Sequence, residues 1–319
     1  MHLGPCGVII SCVSQTTGWS EHGNSSAVSP YLYPICLVVI SACVALAEAL
    51  APMRPGQRRW RRWLWSDLVH LVFNGHFLGV IVFTVATVWV LPHLDPILSD
   101  LQVRDALYRS AAAELPVWAQ IIAALFVIDF IHWCVHNLLH RVPMLWEFHK
   151  THHSVGDDEM DFIVSFRFQW VEVVLYKTLQ YFPLAFFGFG YEAVMTHAVF
   201  GTLIGHLNHS NIDVDYGPLR FVFNSPRMHI WHHDYEADGK STVNFGVVFS
   251  CWDWIFGTAK LPDHPPKRIG FRGMDDHPRD FFGQVVWPLH RHLPEATPRW
   301  LASAIGGVIV CVALYIMLR

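Results

Sequence analysis

Residues 129–154 read DFIHWCVHNLLHRVPMLWEFHKTHHS, and this stretch holds six histidines in 26 residues. Residues three or four positions apart share one face of a helix. Two groups have this spacing: His136 with His140, and His149 with His152 and His153. Pro143 lies between the groups; it disfavours helix at Val142 and suits the first position of a new helix. The sequence therefore predicts two helices that meet at a corner and present imidazoles to the same point.

A second copy of the three-histidine pattern lies about 80 residues later, in SPRMHIWHHDYEADG (225–239). Its members are His229, His232 and His233. Ser225 suits a helix N-cap, Pro226 a first turn and Gly239 a helix stop, so we predict a helix between them. Neutral imidazole is a ligand for Fe, Zn, Cu and Ni. Eight imidazoles exceed the four to six ligands of one ion, so the pattern predicts two metal ions.

Composition favours a membrane protein over a soluble or nucleic-acid-binding one. The chain has 319 residues, 53% of them hydrophobic and 15% charged, with a mean hydropathy of +0.31 and a net charge of −4. The seven cysteines form no CxxC pair, which argues against a disulfide framework and a cysteine-type zinc site. Five lysines against 17 arginines indicate a GC-rich genome, and so favour a bacterial inner membrane over the endoplasmic reticulum.

Apolar runs predict several membrane spans. Residues 31–50 carry no charge before Glu48, and at about 1.5 Å per residue they reach roughly 30 Å, the thickness of a hydrocarbon core. The next residues include five arginines, at 54, 58, 59, 61 and 62, which place this loop in the cytoplasm by the positive-inside rule. Further apolar segments are 71–91, 117–139, 171–190, 191–209 and 301–318, with an outer loop at 92–115. Counting spans from the basic loop puts all the histidine strings on the cytoplasmic side.

Five motifs resemble one known family. They are HNLLH (136–140), FHKTHHS (148–154), HSN (209–211), YGPLRFVFNSPRMHIWHH (216–233) and NFG with WDWIFGT (244–258). In order and spacing, residues 129–258 closely resemble the fatty acid hydroxylase/sterol desaturase superfamily of membrane di-iron enzymes. The resemblance implies an all-α, multi-pass bundle with four core transmembrane helices, flanking spans and a cytoplasmic, histidine-rich di-metal cap. It also implies two Fe ions, O2 as co-substrate and a lipid substrate.

The resemblance also assigns roles to residues. The implied metal ligands are His136, His140, His149, His152, His153, His209, His229, His232 and His233, with His206 as a candidate tenth. Metal-bound imidazoles usually donate their other N–H to a carboxylate or carbonyl. Candidates for this supporting shell are Asp129, His132, Glu172, Asn211, Asp234 and Asp253. Two positions depart from the family pattern: Asn137 stands where arginine is common, and His132 where an aromatic residue is usual.

The composition, the apolar runs and the resemblance together divide the chain into four parts. These are a mobile tail (1–30), a transmembrane hairpin with its outer loop (31–115), a fatty acid hydroxylase-like catalytic domain (116–260) and a C-terminal segment with an apolar helix (261–319). No haem or flavin domain is visible, so an oxygenase here would need a separate electron donor, ferredoxin-like or cytochrome b5-like with its reductase. The lipid and the regiochemistry stay open.

Four functions are compatible with this pattern. A lipid hydroxylase would add one oxygen atom to its substrate, and a desaturase on the same site would remove two hydrogens. A membrane zinc hydrolase or structural metal protein is the third reading, although the sequence has no HExxH motif. The fourth, a non-catalytic relative, is disfavoured because every histidine of the pattern is present. Zinc has no redox chemistry, so oxidation of a C–H bond requires a metal such as iron.

Overall fold

The computed structural model describes residues 31–85, 90–102, 112–240, 242–289 and 298–318. All regular secondary structure in these ranges is helical, with turns and loops between the helices. Isolated β-bridges, but no strands, occur in these ranges. In chain order the α-helices are α1 (Leu32–Leu50), α2 (Leu64–Val72), α3 (Leu78–Thr84), α4 (Leu91–Asp100), α5 (Val117–Arg141), α6 (Pro143–His153), α7 (Trp170–Phe186), α8 (Tyr191–His209), α9 (Pro226–His229), α10 (Cys251–Phe256), α11 (Phe281–Val286) and α12 (Arg299–Leu318).

Two of the described helices, α1 and α5, are long and apolar enough to cross a membrane. Large apolar side chains on both helices face outward: Val38 is 68% exposed, Leu46 61% and Trp118 66%. An apolar surface of this kind suits lipid better than water. Helix α8 packs against both α1 and α5 and joins them. These helices agree with the spans predicted over 31–50 and 117–139, and the chain is a membrane protein.

The span predicted over 71–91 is helical from residue 71 to residue 85, but it is not a regular α-helix throughout. Helix α2 ends at Val72, and a π-helical turn, Phe73–Phe77, separates it from α3. The Asn74 amide lies at this turn and donates hydrogen bonds to the carbonyl oxygens of Phe166 and Phe168, both at 2.8 Å. A π turn is a recognised cause of a kink. Side-chain contacts with residues more than 90 positions away thus accompany the π turn.

The polar outer loop predicted at 92–115 is helical over its first part. Helix α4 has a proline in its first turn, where the fixed φ of proline favours helix and its missing N–H costs nothing. Residues 103–111 and the predicted mobile tail, 1–30, lie outside the described residues. The predicted final apolar segment forms α12. The domain boundaries predicted at residues 115 and 260 stay predictions.

A buried ion network ties the start of α2 to the segment that follows the histidine string. The Arg61 guanidinium donates to both carboxylate oxygens of Asp161 at 2.7 Å and to Asp67 at 2.8 Å. Arg167 donates to the other oxygen of Asp67 at 2.6 Å and to the carbonyl oxygen of Thr151 at 3.0 Å. Thr151 lies inside the histidine string, so this network fixes the position of α6.

Candidate metal centre

The corner predicted between the first two histidine groups is present. Helix α5 ends at Arg141, Val142 is extended (φ −97°, ψ 114°), and α6 begins at Pro143. The last two turns of α5 carry His136 and His140, each 3% exposed. The last two turns of α6 carry the next three histidines, which are 0–2% exposed. The helical spacing and the proline break therefore bring both groups to one buried point, as predicted.

The second three-histidine string has a different local structure from the predicted one. Helix α9 begins after the N-cap Ser225, whose hydroxyl accepts a hydrogen bond from Met228 N, but it ends at His229 rather than near Gly239. The Asn244 amide donates to the carbonyl oxygen of Met228 at 2.6 Å, and the Thr242 hydroxyl donates to that of His232. These side chains bind carbonyl groups that a longer helix would use. Successive tight turns then direct the last two histidines inward.

The histidines come together in two adjacent groups. The first consists of His136, His140, His149 and His232, and the second of His152, His209, His229 and His233. Each histidine of a group offers one ring nitrogen as a ligand, and these four nitrogens all lie within 4.8 Å of one another. His153 lies between the groups: its Nε2 is 3.1 Å from Nε2 of His232, and its ring centroid is 4.4 Å from that of His233. All nine residues thus form one cluster.

The spacing of the ring nitrogens suits metal binding. The Nε2 atoms of His136 and His149 are 3.2 Å apart, and Nε2 of His209 is 3.1 Å from those of His152 and His229. With bonds of about 2.0–2.1 Å and angles near 90–110°, two nitrogens on one first-row ion lie roughly 3.0–3.4 Å apart. Both ring nitrogens of His233 are buried and have no hydrogen-bond partner among the described residues. The donor set therefore fits metal ions.

Backbone carbonyls orient four of these nine rings. The Nδ1–H groups of four histidines donate to carbonyl oxygens: His136 to Phe245 at 2.8 Å, His140 to Gly239 at 2.7 Å, His209 to Gly205 at 2.7 Å and His232 to Val243 at 2.9 Å. A ring that donates from Nδ1 carries its free lone pair on Nε2, which faces the cluster. Sequence analysis did not find these carbonyl groups, because only the tertiary fold brings them to the rings.

Burial keeps the imidazoles neutral. It lowers the pKa of the cluster histidines outside the apolar helices well below 6.5, and neighbouring imidazoles lower it further. These residues are His149, His152, His153, His229, His232 and His233. A neutral imidazole has the lone pair that a metal requires, so the cluster is ready for ligation at neutral pH.

One predicted supporting carboxylate contacts a cluster histidine directly. The Glu172 carboxylate accepts a hydrogen bond from Nδ1 of His149 at 2.5 Å, and both side chains are 0–1% exposed. Asp129 and Asp253 instead accept hydrogen bonds from backbone amides of residues 245–249. Asp234 caps the amide of Glu236 and lies 3.9 Å from Lys260.

The remaining predicted residues lie outside both groups. His206 uses its two ring nitrogens on the hydroxyls of Ser41 at 3.0 Å and Ser165 at 2.7 Å. His132 interacts with the Gln180 amide at 2.9 Å, and its ring centroid is 5.8 Å from that of His136. The side chain of Asn211 bonds to the backbone of residue 54. Asn137 donates to the carbonyl oxygen of residue 133.

Comparison with known proteins agrees with this geometry. A fatty acid hydroxylase family model matches residues 121–258. The ornithine lipid hydroxylase OlsE of Rhizobium tropici is 27% identical over 262 residues, which are 80% of this chain and 75% of that protein. The alkylglycerol monooxygenases of Homo sapiens and Caenorhabditis elegans are each 30% identical, over 43% and 46% of this chain. These matches cover less than a third of either monooxygenase, 29% and 28%. No solved structure matches.

The match includes every cluster histidine, and the relatives are hydroxylases and monooxygenases. The chain is accordingly an oxygen-dependent oxidoreductase. Residues 121–258 are similar to the fatty acid hydroxylase family, within the fatty acid hydroxylase/sterol desaturase superfamily.

Proposed function

We propose that this protein is a membrane-bound, non-haem di-iron enzyme that hydroxylates a C–H bond of a lipid, using O2 and electrons from a separate donor. The nine cluster histidines would hold the two irons. One observation carries the proposal: three distant parts of the chain (136–153, 209 and 229–233) bring two four-histidine groups into contact beside an apolar helix. The hydroxylase reading is favoured over desaturation because the relatives named above are hydroxylases and monooxygenases.

The protein itself would supply orientation and a dry surrounding. Phe245 packs edge-on against the rings of His136 and His140, with centroids 5.6 and 5.5 Å apart. Trp146 covers His140 and His153 from the other side, at 5.0 and 5.1 Å. These rings exclude water from the imidazoles, which strengthens electrostatic interactions inside the site. Iron bound there would supply the redox chemistry that no side chain can perform.

We infer a cytoplasmic location for the site and four core transmembrane helices, α1, α5, α7 and α8. The basic loop that follows α1 contacts the segment just after the histidine string: Arg54 donates to the carbonyl oxygen of Asp158 at 2.7 Å, and Arg58 to the Asp157 carboxylate at 2.7 Å. The basic loop and the cluster therefore lie on the same side of the bundle. The positive-inside rule makes that side the cytoplasm, and a bacterial inner membrane fits the arginine bias.

The experiment that tests this proposal combines metal analysis with oxygen uptake. Protein purified in detergent should contain about two irons per chain, because eight or nine imidazoles exceed the coordination of one ion. With a reductant and lipid extract it should consume O2 and yield a product heavier by one oxygen atom. Tightly bound zinc without oxygen uptake would contradict the oxygenase. A product lighter by two hydrogens would replace hydroxylation by desaturation.

The separate electron donor, ferredoxin-like or cytochrome b5-like, is tested independently. We expect turnover to depend on an added donor protein and its reductase. Robust turnover by the purified enzyme with NAD(P)H alone would show that no separate donor is needed.

A further inference from the structure

The interior face of α7 carries a lysine within a largely apolar helix. Lys177 occupies a half-buried position in the middle of WVEVVLYKTLQYFPLAF. Its Nζ donates a hydrogen bond to the Tyr181 hydroxyl at 3.2 Å and lies 5.0 Å from the centre of the same ring. Tyr181 follows by one helical turn, so the two side chains share a face of α7. An ionisable group at membrane depth is a functional candidate.

No carboxylate of the described residues lies within 4.0 Å of Lys177 Nζ. Other buried cations of the chain differ: Arg61 and Arg167 each bind carboxylates at 2.6–2.8 Å. Removing an ammonium group from water is unfavourable unless a counter-charge and hydrogen bonds replace the water. The tyrosine contact supplies part of this compensation. A negative charge from outside the chain would supply the rest.

The groups around Lys177 are hydrogen-bonding rather than acidic. Tyr33 of α1 and His197 of α8 lie within electrostatic range of its ammonium group, as does His132 of α5. The Tyr33 hydroxyl is hydrogen-bonded to that of Thr202 at 3.0 Å. Nδ1 of His197 is buried and has no hydrogen-bond partner among the described residues. A cation surrounded by hydroxyl and imidazole groups, one of them unpartnered, has the chemistry of an anion-binding site.

The position along α7 relates this site to the metal centre. Glu172 on the same helix contacts His149, and Lys177 follows five residues later. At about 1.5 Å per residue, the two positions are roughly 7–8 Å apart along the helix axis. An anionic group held at Lys177 would therefore lie about one and a half turns of α7 from the carboxylate that contacts the cluster.

We propose that Lys177, with Tyr33, Tyr181 and His197, binds the negatively charged phosphate or carboxylate of a lipid substrate inside the helix bundle. This inference rests on the proposed function and adds the substrate class: an anionic lipid.

The test is a binding measurement on the full-length, metal-loaded protein in detergent, so it does not depend on turnover. The probes are oleate for the carboxylate, dioleoyl phosphatidic acid for the phosphate, and an uncharged alkylglycerol. We expect at least one anionic probe to bind about tenfold or more tightly than the alkylglycerol, as charge-assisted hydrogen bonding predicts. Lys177→Met should remove that preference, whereas Lys177→Arg should keep it. Lys267→Met, at an exposed lysine, is the control for the change in net charge and should keep it too.

Metal content measured on each variant separates binding defects from misfolding. If Lys177→Met loses its metal, Tyr181→Phe and His197→Ala replace it, and each should weaken the anionic probe several-fold with metal retained. Equal affinity of the wild-type protein for charged and uncharged probes would overturn the inference. An undiminished preference in the metal-loaded variants would do the same. If the wild-type protein prefers the anionic probe but takes up no oxygen, the result would instead count against the proposed function.

Discussion

Replacing Asp67 by alanine tests the link between the N-terminal segment and the metal centre. The Asp67 carboxylate joins two guanidinium groups, Arg61 at 2.8 Å and Arg167 at 2.6 Å, whose side chains are 2% and 1% exposed. Without it, Arg61 keeps its two hydrogen bonds to Asp161. Among the described residues, Arg167 keeps hydrogen bonds to two neutral oxygens, the Thr151 carbonyl and the Ser154 hydroxyl. The substitution therefore leaves one buried cation without a counter-charge.

Removing one partner of a buried ion pair costs about 3–5 kcal/mol, because the other charge stays desolvated. For a chain of this size, at about 2 °C per kcal/mol, the melting temperature should fall by roughly 6–10 °C. Arg167 binds the backbone between His149 and His152, so the loss should also displace the end of α6. We therefore expect Asp67→Ala to lower iron retention as well as thermal stability.

The assay is thermal unfolding of the detergent-purified protein, followed by size-exclusion fluorescence, with iron content measured in parallel. Glu236→Ala is the control, because Glu236 and Arg272 form an exposed pair (73% and 64%) of the kind that contributes about 0–1 kcal/mol. The double variant Asp67→Leu/Arg167→Met removes both charges and should unfold at a higher temperature than Asp67→Ala. A shift below about 2 °C for Asp67→Ala, or a double variant as unstable as the two single changes added together, would refute the reasoning.

Four further substitutions test other parts of the centre. His152→Ala should abolish activity and metal binding while the protein still inserts, whereas His132→Ala should retain activity; equal loss in both would show that His132 is a ligand. Glu172→Gln should lower metal affinity about 10–100-fold by weakening the hydrogen bond that orients His149, as measured by competition with a chelator, and unchanged affinity would contradict this role. Ser225→Ala should cost about 0.5–2 kcal/mol of stability through loss of the N-cap, and an unchanged melting temperature would argue against the cap.

The corner between α5 and α6 could be predicted because its causes are local. The spacing of His136 and His140 fixes their common helix face, and Pro143 fixes where one helix ends and the next begins. Both signals lie within a few residues of the structure they determine. The apolar run over 31–50 is local in the same sense, since its length alone decides that it can span.

Other features could not be predicted because distant contacts determine them. The π turn in 71–91 follows from the Asn74 amide binding the backbone of residues 166 and 168. The early end of α9 follows from Thr242 and Asn244, which bind the carbonyl groups of His232 and Met228. In the second case side chains bind carbonyl groups that the local pattern assigns to a regular helix, whereas in the first a side chain binds the backbone of a distant segment. Sequence periodicity contains no information about such partners.

The acidic residues show how far the support of the metal centre extends beyond direct contact. Asp253 accepts hydrogen bonds from the amides of Phe245 and Gly246 at 2.9 and 2.8 Å, and Asp129 accepts from those of Val248 and Phe249 at 2.8 and 3.0 Å. Phe245 in turn offers its carbonyl oxygen to His136. Buried carboxylates that bind several backbone amides hold a loop rigidly. The two aspartates therefore orient the cluster through the backbone of residues 245–249, whereas Glu172 acts on an imidazole itself. Asp253 thus serves the site through two successive hydrogen bonds by way of Phe245, although it lies 20 residues from the nearest cluster histidine in sequence.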